Sequence, residues 1–176
     1  MNLPNKLSIA RTACIPVIVA LLYIPGRSYQ IAAGILFILA SLTDFIDGRI
    51  ARKRNLVTDF GKFIDPLADK LLVLSTLVML VRADLVDAWI LVLILCRELA
   101  VDGLRMIAVT KGHVIAASPY GKIKTTCQMI LISAILLLNQ GVYSQWYMIT
   151  LMIITVVMTV VSAVDYFRKN SSVFSQ

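Results

Sequence analysis

Four aspartates form two closely spaced pairs in the first half of the sequence, and apolar segments flank both pairs. Asp44 and Asp47 are three residues apart, and Asp65 and Asp69 are four apart. Each spacing places its pair on one face of a helix, because an α-helix repeats every 3.6 residues. Converging carboxylates repel one another at low dielectric unless protons or cations offset their charge. Since ionised groups within a membrane usually have a function, the pattern predicts a cation site.

The donor atoms indicate which ions this site would hold. Oxygen ligands favour Mg²⁺ or Mn²⁺ over zinc or copper, and four carboxylates suit two ions. A pair of such ions can clamp phosphoryl oxygens during a displacement. Thiol or imidazole ligation is not expected, because Cys14, Cys96 and Cys127 lack paired spacing and His113 is the only histidine.

Small residues and an arginine accompany the aspartates. Gly48, Ala51 and Gly61 lack bulk, which is compatible either with close helix packing or with room for a nucleotide. Spacing alone does not separate these two interpretations. Arg52 lies one helical turn after Gly48 and could pair with a diphosphate.

The composition predicts an integral membrane protein. Hydrophobic residues make up 59% of the chain and charged residues 15%, against about 45–50% and 25% in soluble domains. The length of 176 residues fits a single domain, predicted at residues 1–170, followed by a polar tail at 171–176. The net charge of +7 does not indicate nucleic-acid binding, because the basic residues fall between apolar runs.

Apolar runs predict an all-α, polytopic fold with six transmembrane helices, preceded by an amphipathic interfacial helix at residues 1–11. A signal peptide is disfavoured because no small-x-small cleavage site follows the first run. Two helices carry the aspartates and are joined by a short loop, so they should be antiparallel neighbours. The predicted spans lie near residues 9–24, 30–54, 61–81, 88–111, 120–138 and 143–168.

Basic residues predict the orientation in the membrane. With both termini inside, the cytoplasmic segments hold most lysines and arginines, whereas the outside keeps only Arg27 and Arg82. This orientation places all four aspartates near the cytoplasmic surface, on the side where soluble substrates are found.

The segment from Asp44 to Asp69 resembles the signature of the CDP-alcohol phosphatidyltransferases. The pattern D-x2-D-G-x2-A-R-x8-G-x3-D-x3-D is matched at all eight fixed positions. The resemblance implies that two divalent metals are held by three aspartates with Asp69 nearby, and that Asp69 is the general base. It also implies that a CDP-lipid is the donor, that an alcohol attacks its β-phosphorus and that CMP leaves. The implied metal site is Asp44, Asp47, Asp65 and Asp69, and the implied CDP-lipid pocket is Asp47, Gly48, Ala51, Arg52 and Gly61.

Further segments resemble the bacterial phosphatidylglycerophosphate synthases within this family. They include the N-terminal Asn2-Leu3-Pro4-Asn5 and the run from Gly121 to Gln128, and the one departure noted is Ser8 in place of threonine. The resemblance implies CDP-diacylglycerol and sn-glycerol 3-phosphate as substrates, a bacterial plasma membrane location and a homodimer. Sister enzymes that use phosphatidylglycerol, inositol phosphate or serine remain alternatives. So does a divalent-cation transporter, although basic residues beside the aspartates suit an anionic ligand better.

Three basic residues are candidates for binding the acceptor phosphate. Arg105, Lys122 and Lys124 flank the predicted cytoplasmic loop between the fourth and fifth helices, at the level of the aspartates. Taken alone, their placement favours anchors at the membrane surface, whereas beside a phosphotransfer site it favours phosphate binding. Nearby, Arg97 is predicted to form a buried ion pair or network with Glu98 and Asp102 that supports the site.

Overall fold

The computed structural model describes the backbone of residues 3–53, 59–112, 115, 118–138 and 144–170. Side chains are described from residue 8 onward within these ranges, apart from those of residues 44–63 and 144–145. Over the described ranges the chain is all-α, as predicted, and contains no strand. The helices are α1 (Leu3–Tyr23), α2 (Arg27–Lys53), α3 (Asp59–Arg82), α4 (Ala88–Thr110), α5 (Pro119–Leu138) and α6 (Ser144–Lys169).

Among the residues whose side chains are described, two helices are long and apolar enough to cross a membrane. They are Pro119–Leu138 and Trp146–Lys169, while the described parts of α1 and α2 hold the apolar stretches Ser8–Tyr23 and Arg27–Thr43, of which the first begins and the second ends at a limit of the described side chains. These helices agree with a membrane protein, but the predicted count of six spans is not confirmed. The separate interfacial helix at the N-terminus is not confirmed either, because α1 runs unbroken from Leu3 to Tyr23.

The helices divide into two compact units. The first unit contains α1, α2, α3 and the last turns of α5, and the second contains α4, the first part of α5 and α6. In the first unit α1 packs against both α2 and α3. Ser8 contacts Asp65 near the start of both helices, and the Arg82 guanidinium lies 3.9 Å from the Tyr23 ring centroid at their ends. The helices α1 and α3 therefore run parallel.

The end of α5 is fixed against the start of α2 within the first unit. Arg27 donates hydrogen bonds to the carbonyl oxygens of Leu136 and Leu137, which have no partner further along their own helix. A side chain on Gly34 would place its Cβ 2.9 Å from the Leu136 Cβ. Glycine at this position therefore permits the close approach of the two helices.

The second unit is built on one buried stripe of α4. The stripe follows helical spacing and packs against α6, with Leu104 and Tyr166 in its core. Contacts of Arg97 with Ser162 and of Arg105 with Tyr166 show that α4 and α6 run parallel. The residues of the stripe are Ile90, Ile94, Glu98, Val101, Leu104 and Ala108.

Candidate functional site

Asp65 and Asp69 lie in the first turns of α3, as predicted, and share one helical face. Their face continues into the buried residues Leu72, Thr76 and Leu80 along the same helix. Both aspartates are half-buried. The packed face of α3 therefore turns the two carboxylates toward α1, its neighbour in the first unit.

Each carboxylate has a polar partner on α1. The Ser8 hydroxyl donates a hydrogen bond to Asp65 Oδ1. Arg11 Nη1 lies 3.4 Å from Asp69 Oδ1, and the Arg11 side chain is 1% exposed against 28% for Asp69. A buried guanidinium beside a carboxylate stabilises the negative charge and limits the rotation of the side chain.

Ser8 and Arg11 were not predicted to belong to the site. Ser8 stood out only as a departure from the subgroup pattern, and Arg11 was given no role at the site. Ser8 and Arg11 are three residues apart, and Asp65 and Asp69 are four apart. Each spacing is about one helical turn, so the two pairs can face each other when their helices are parallel. This agreement was the available signal, but it can be used only once α1 and α3 are known to be parallel neighbours.

The other predicted members of this site lie in backbone that the structure describes, without described side chains. Asp44, Asp47, Gly48, Ala51 and Arg52 lie on the last turns of α2, and Gly61 lies on the first turn of α3. Convergence of the two aspartate pairs is therefore outside the described residues and stays a prediction.

Asp65 and Asp69 have the right chemistry for part of a divalent-metal site. Their carboxylate oxygens are the donors that Mg²⁺ and Mn²⁺ prefer, and both retain solvent access. Two carboxylates alone supply too few protein ligands to hold a metal ion. Within the described side chains, no three histidine, cysteine, aspartate or glutamate residues come together, and the side chains of Asp44 and Asp47 lie outside the described ones.

A second charged cluster lies in the second unit around Glu98. Arg97 Nη1 donates to Glu98 Oε1 at 3.1 Å, which confirms the predicted ion pair. Lys124 donates to the same oxygen, and Arg97 Nη2 donates to the buried hydroxyl of Ser162. Side-chain exposure is only 9% for Arg97, 11% for Glu98 and 4% for Lys124. The cluster thus links α4, α5 and α6 through buried, charge-assisted hydrogen bonds.

The three predicted acceptor-site residues have different surroundings. Arg105 is half-buried, and its Nε donates to the Tyr166 hydroxyl at 2.8 Å. Lys122 is exposed and has no ion pair with any described residue. Lys124 is buried against Glu98. All three belong to the second unit, and Lys124 differs from the other two because a carboxylate already accompanies it.

Similarity to known proteins agrees with the aspartate pattern. The CDP-alcohol phosphatidyltransferase family profile matches residues 1–161. Because this match covers most of the sequence, the chain belongs to the CDP-alcohol phosphatidyltransferase family, as its signature predicted.

Individual relatives are similar over nearly the whole chain. A Bacillus subtilis protein named CDP-diacylglycerol--glycerol-3-phosphate 3-phosphatidyltransferase is 46% identical, over 96% of this chain and 95% of the relative. A Rickettsia typhi protein of the same name is 42% identical, over 98% of this chain and 99% of the relative. A probable phosphatidylglycerophosphate synthase of Mycobacterium tuberculosis is 36% identical, over 94% of this chain and 79% of the relative.

Proposed function

We propose that this chain transfers the phosphatidyl group of CDP-diacylglycerol to sn-glycerol 3-phosphate, giving phosphatidylglycerophosphate and CMP. The observation that carries this conclusion is the 46% identity to a transferase named for these substrates, over 96% of the chain. Identity of that extent includes far more than the aspartate signature. It therefore favours the same acceptor as well as the same donor.

Asp69 is the proposed general base. Its carboxylate accepts the proton of the acceptor's primary hydroxyl, whose oxygen then attacks the β-phosphorus of the donor. The bond between that phosphorus and the CMP oxygen breaks, and CMP leaves with the bonding electrons. Arg11 supports this role because its contact with Oδ1 holds the Asp69 carboxylate in place.

The donor site is proposed to combine carboxylates with small residues and one arginine. Asp44, Asp47, Asp65 and Asp69 would hold two Mg²⁺ or Mn²⁺ ions, which supply positive charge to the phosphoryl oxygens. The hydroxyl of Ser8 would hold Asp65 in one orientation, as such outer partners commonly do for metal ligands. The CDP-lipid itself is proposed to lie against Asp47, Gly48, Ala51, Arg52 and Gly61.

The acceptor phosphate is proposed to bind Arg105, Lys122 and Lys124. Arg105 uses only Nε in its contact with Tyr166, so its terminal nitrogens can form a bidentate pair with phosphate. Lys122 adds an exposed charge. An ammonium group has three N–H donors, so the bond from Lys124 to Glu98 is compatible with a phosphate contact. In this arrangement Glu98 positions Lys124.

The proposal extends to location and assembly. The helices α5 and α6 and the asymmetry of basic residues support a multi-pass protein of the bacterial plasma membrane. Both termini and the active site would face the cytoplasm, where sn-glycerol 3-phosphate is dissolved. A homodimer is proposed from the family resemblance.

The decisive test is CMP release by the purified protein. With CDP-diacylglycerol present, sn-glycerol 3-phosphate should support release, whereas serine, inositol phosphate and phosphatidylglycerol should not. A chelator should reduce the rate to background, and excess Mg²⁺ or Mn²⁺ should restore it. Release with another acceptor alone would identify a sister enzyme, and metal flux into liposomes without nucleotide would favour a transporter.

Arg11→Met should lower turnover by about 10–100-fold, the range found when an outer-shell partner of a catalytic or ligating group is lost. Arg11→Lys keeps the charge and should recover part of the loss. Arg82→Met is the matched control, because it removes an exposed arginine at the opposite end of the same helix pair. Equal kcat values for the Arg11 and Arg82 methionine variants would remove Arg11 from the site.

A further inference from the structure

A groove of about 520 Å³ lies on the surface of the second unit, between the start of α5 and the last turns of α6. Its volume falls within the range of about 300–1,000 Å³ typical of small-molecule sites. The proposed reaction uses none of the residues that line it. One part of the wall is apolar, and the end toward the C-terminus of α6 is charged.

The charged end carries one excess positive charge among its described residues. Lys169 Nζ lies 2.8 Å from Asp165 Oδ1 and 5.7 Å from the Tyr120 ring centroid. The Ser118 hydroxyl donates to the other oxygen of Asp165 at 2.8 Å. Asp165 and Lys169 thus form a neutral pair, whereas Arg168 is exposed and pairs with no described acid.

The apolar wall follows the length of α6. Val160, Val161 and Val164 line it, and they are 44%, 38% and 50% exposed. They belong to a helix that is long and apolar enough to cross a membrane. Val160 precedes Arg168 by eight residues, so the wall extends about 12 Å from the charged end. With α6 spanning the membrane in the proposed orientation, the charged end would lie at the level of lipid head groups and the valines at the level of acyl chains.

We propose that this groove binds one anionic phospholipid, with the phosphodiester against Arg168 and an acyl chain along the valines. A single phosphodiester charge matches Arg168, the one cation among the described groove residues that has no described acidic partner. The extra ammonium of a zwitterionic lipid would lie close to Arg168 and Lys169, which disfavours that class. A free phosphate ion would gain nothing from the apolar wall. Binding here does not depend on the proposed reaction.

The test measures lipid binding by the purified full chain in detergent. Dioleoyl phosphatidylglycerol, dioleoyl phosphatidylcholine and inorganic phosphate are titrated separately, and bound lipid is counted by native mass spectrometry. Wild-type protein should bind one phosphatidylglycerol more tightly than phosphatidylcholine. Arg168→Gln should weaken phosphatidylglycerol binding about fivefold, the effect of one basic residue near an anionic lipid surface. Arg82→Gln, at an exposed arginine outside the groove, should leave it unchanged.

A second variant tests the apolar wall separately. Val161→Trp fills the groove from an exposed position, so the helix should fold while phosphatidylglycerol binding falls. Equal affinity for both lipids would show ordinary annular lipid and overturn the proposal, as would unchanged binding by both groove variants. Binding of inorganic phosphate as tight as that of phosphatidylglycerol would also overturn it. So would cross-links showing that Arg168 is buried against a second copy of the chain. CMP release is not used as a readout, so failure here leaves the proposed reaction untouched.

Discussion

Asp69→Asn is expected to lower the kcat for CMP release by about 10²–10⁴-fold, the usual contribution of a positioned general base. Asparagine has nearly the same shape as aspartate, but its amide cannot accept the proton of the acceptor hydroxyl. Affinity for CDP-diacylglycerol should change little, because asparagine keeps one side-chain oxygen near the metal site and Asp69 is not among the residues proposed to lie against the CDP-lipid. Single-turnover rates and equilibrium binding of the CDP-lipid separate the two effects.

The matched control for this variant is Asp84→Asn. Asp84 is exposed, follows α3 directly and has φ 55°, a conformation that asparagine also adopts readily. Asp84→Asn removes the same single charge as Asp69→Asn, at a residue that contacts neither Arg11 nor the site. If Asp69→Asn retained near-normal CMP release with both substrates present, the general-base role would be wrong. A large loss of CDP-lipid affinity with unchanged kcat would instead indicate a role in donor binding.

Glu98→Gln is expected to destabilise the protein and to weaken acceptor binding together. The substitution leaves the buried cations of Arg97 and Lys124 without the carboxylate that both contact. Removing one member of a buried ion pair costs about 3–5 kcal/mol in soluble proteins. For a chain of this size that cost corresponds to a fall in Tm on the order of 6–20 °C. Thermal unfolding in detergent measures it.

The kinetic effect of this variant distinguishes positioning from stability alone. If Glu98 positions Lys124, the KM for sn-glycerol 3-phosphate should rise at a temperature where the variant is fully folded, while the KM for CDP-diacylglycerol stays unchanged. Glu98→Asp keeps the charge and should recover part of both effects. Asp87→Asn is the control, because Asp87 is exposed beside the first turn of α4 and makes no capping hydrogen bond. A lower Tm with both KM values unchanged would make Glu98 purely structural.

The helix boundaries could be predicted from the sequence because residues close to each boundary determine where the helix ends. Polar and turn-forming residues separate the apolar runs, and the predicted limits of 61–81, 88–111 and 120–138 lie within two residues of α3, α4 and α5. The N-terminus was harder to predict, since amphipathic and apolar segments can join into one helix without a break signal. That is the case in α1, where Pro16 does not interrupt the helix.

Contacts between helices were less predictable than the helices themselves. The spacing of Asp65 and Asp69 gave their shared face, but only packing shows that Ser8 and Arg11 lie opposite them. Likewise, Glu98 occupies a core position in the stripe of α4, which predicts a buried partner without naming it. Arg97 was foreseen because it is adjacent in sequence. Lys124 is 26 residues from Glu98 in the sequence, and its contact with Glu98 was not predicted.

The bond between Arg27 and the end of α5 has a consequence for biosynthesis. Leu136 follows Arg27 by 109 residues, so its carbonyl is made about 5–20 s later at ordinary translation rates. Until then Arg27 lacks this acceptor, and the surface of α2 around Gly34 is not yet covered by α5. The unit that carries Asp65 and Asp69 is consequently completed late, by a helix synthesised after α4. Nascent chains that stop before α5 would hold these aspartates in an unfinished unit.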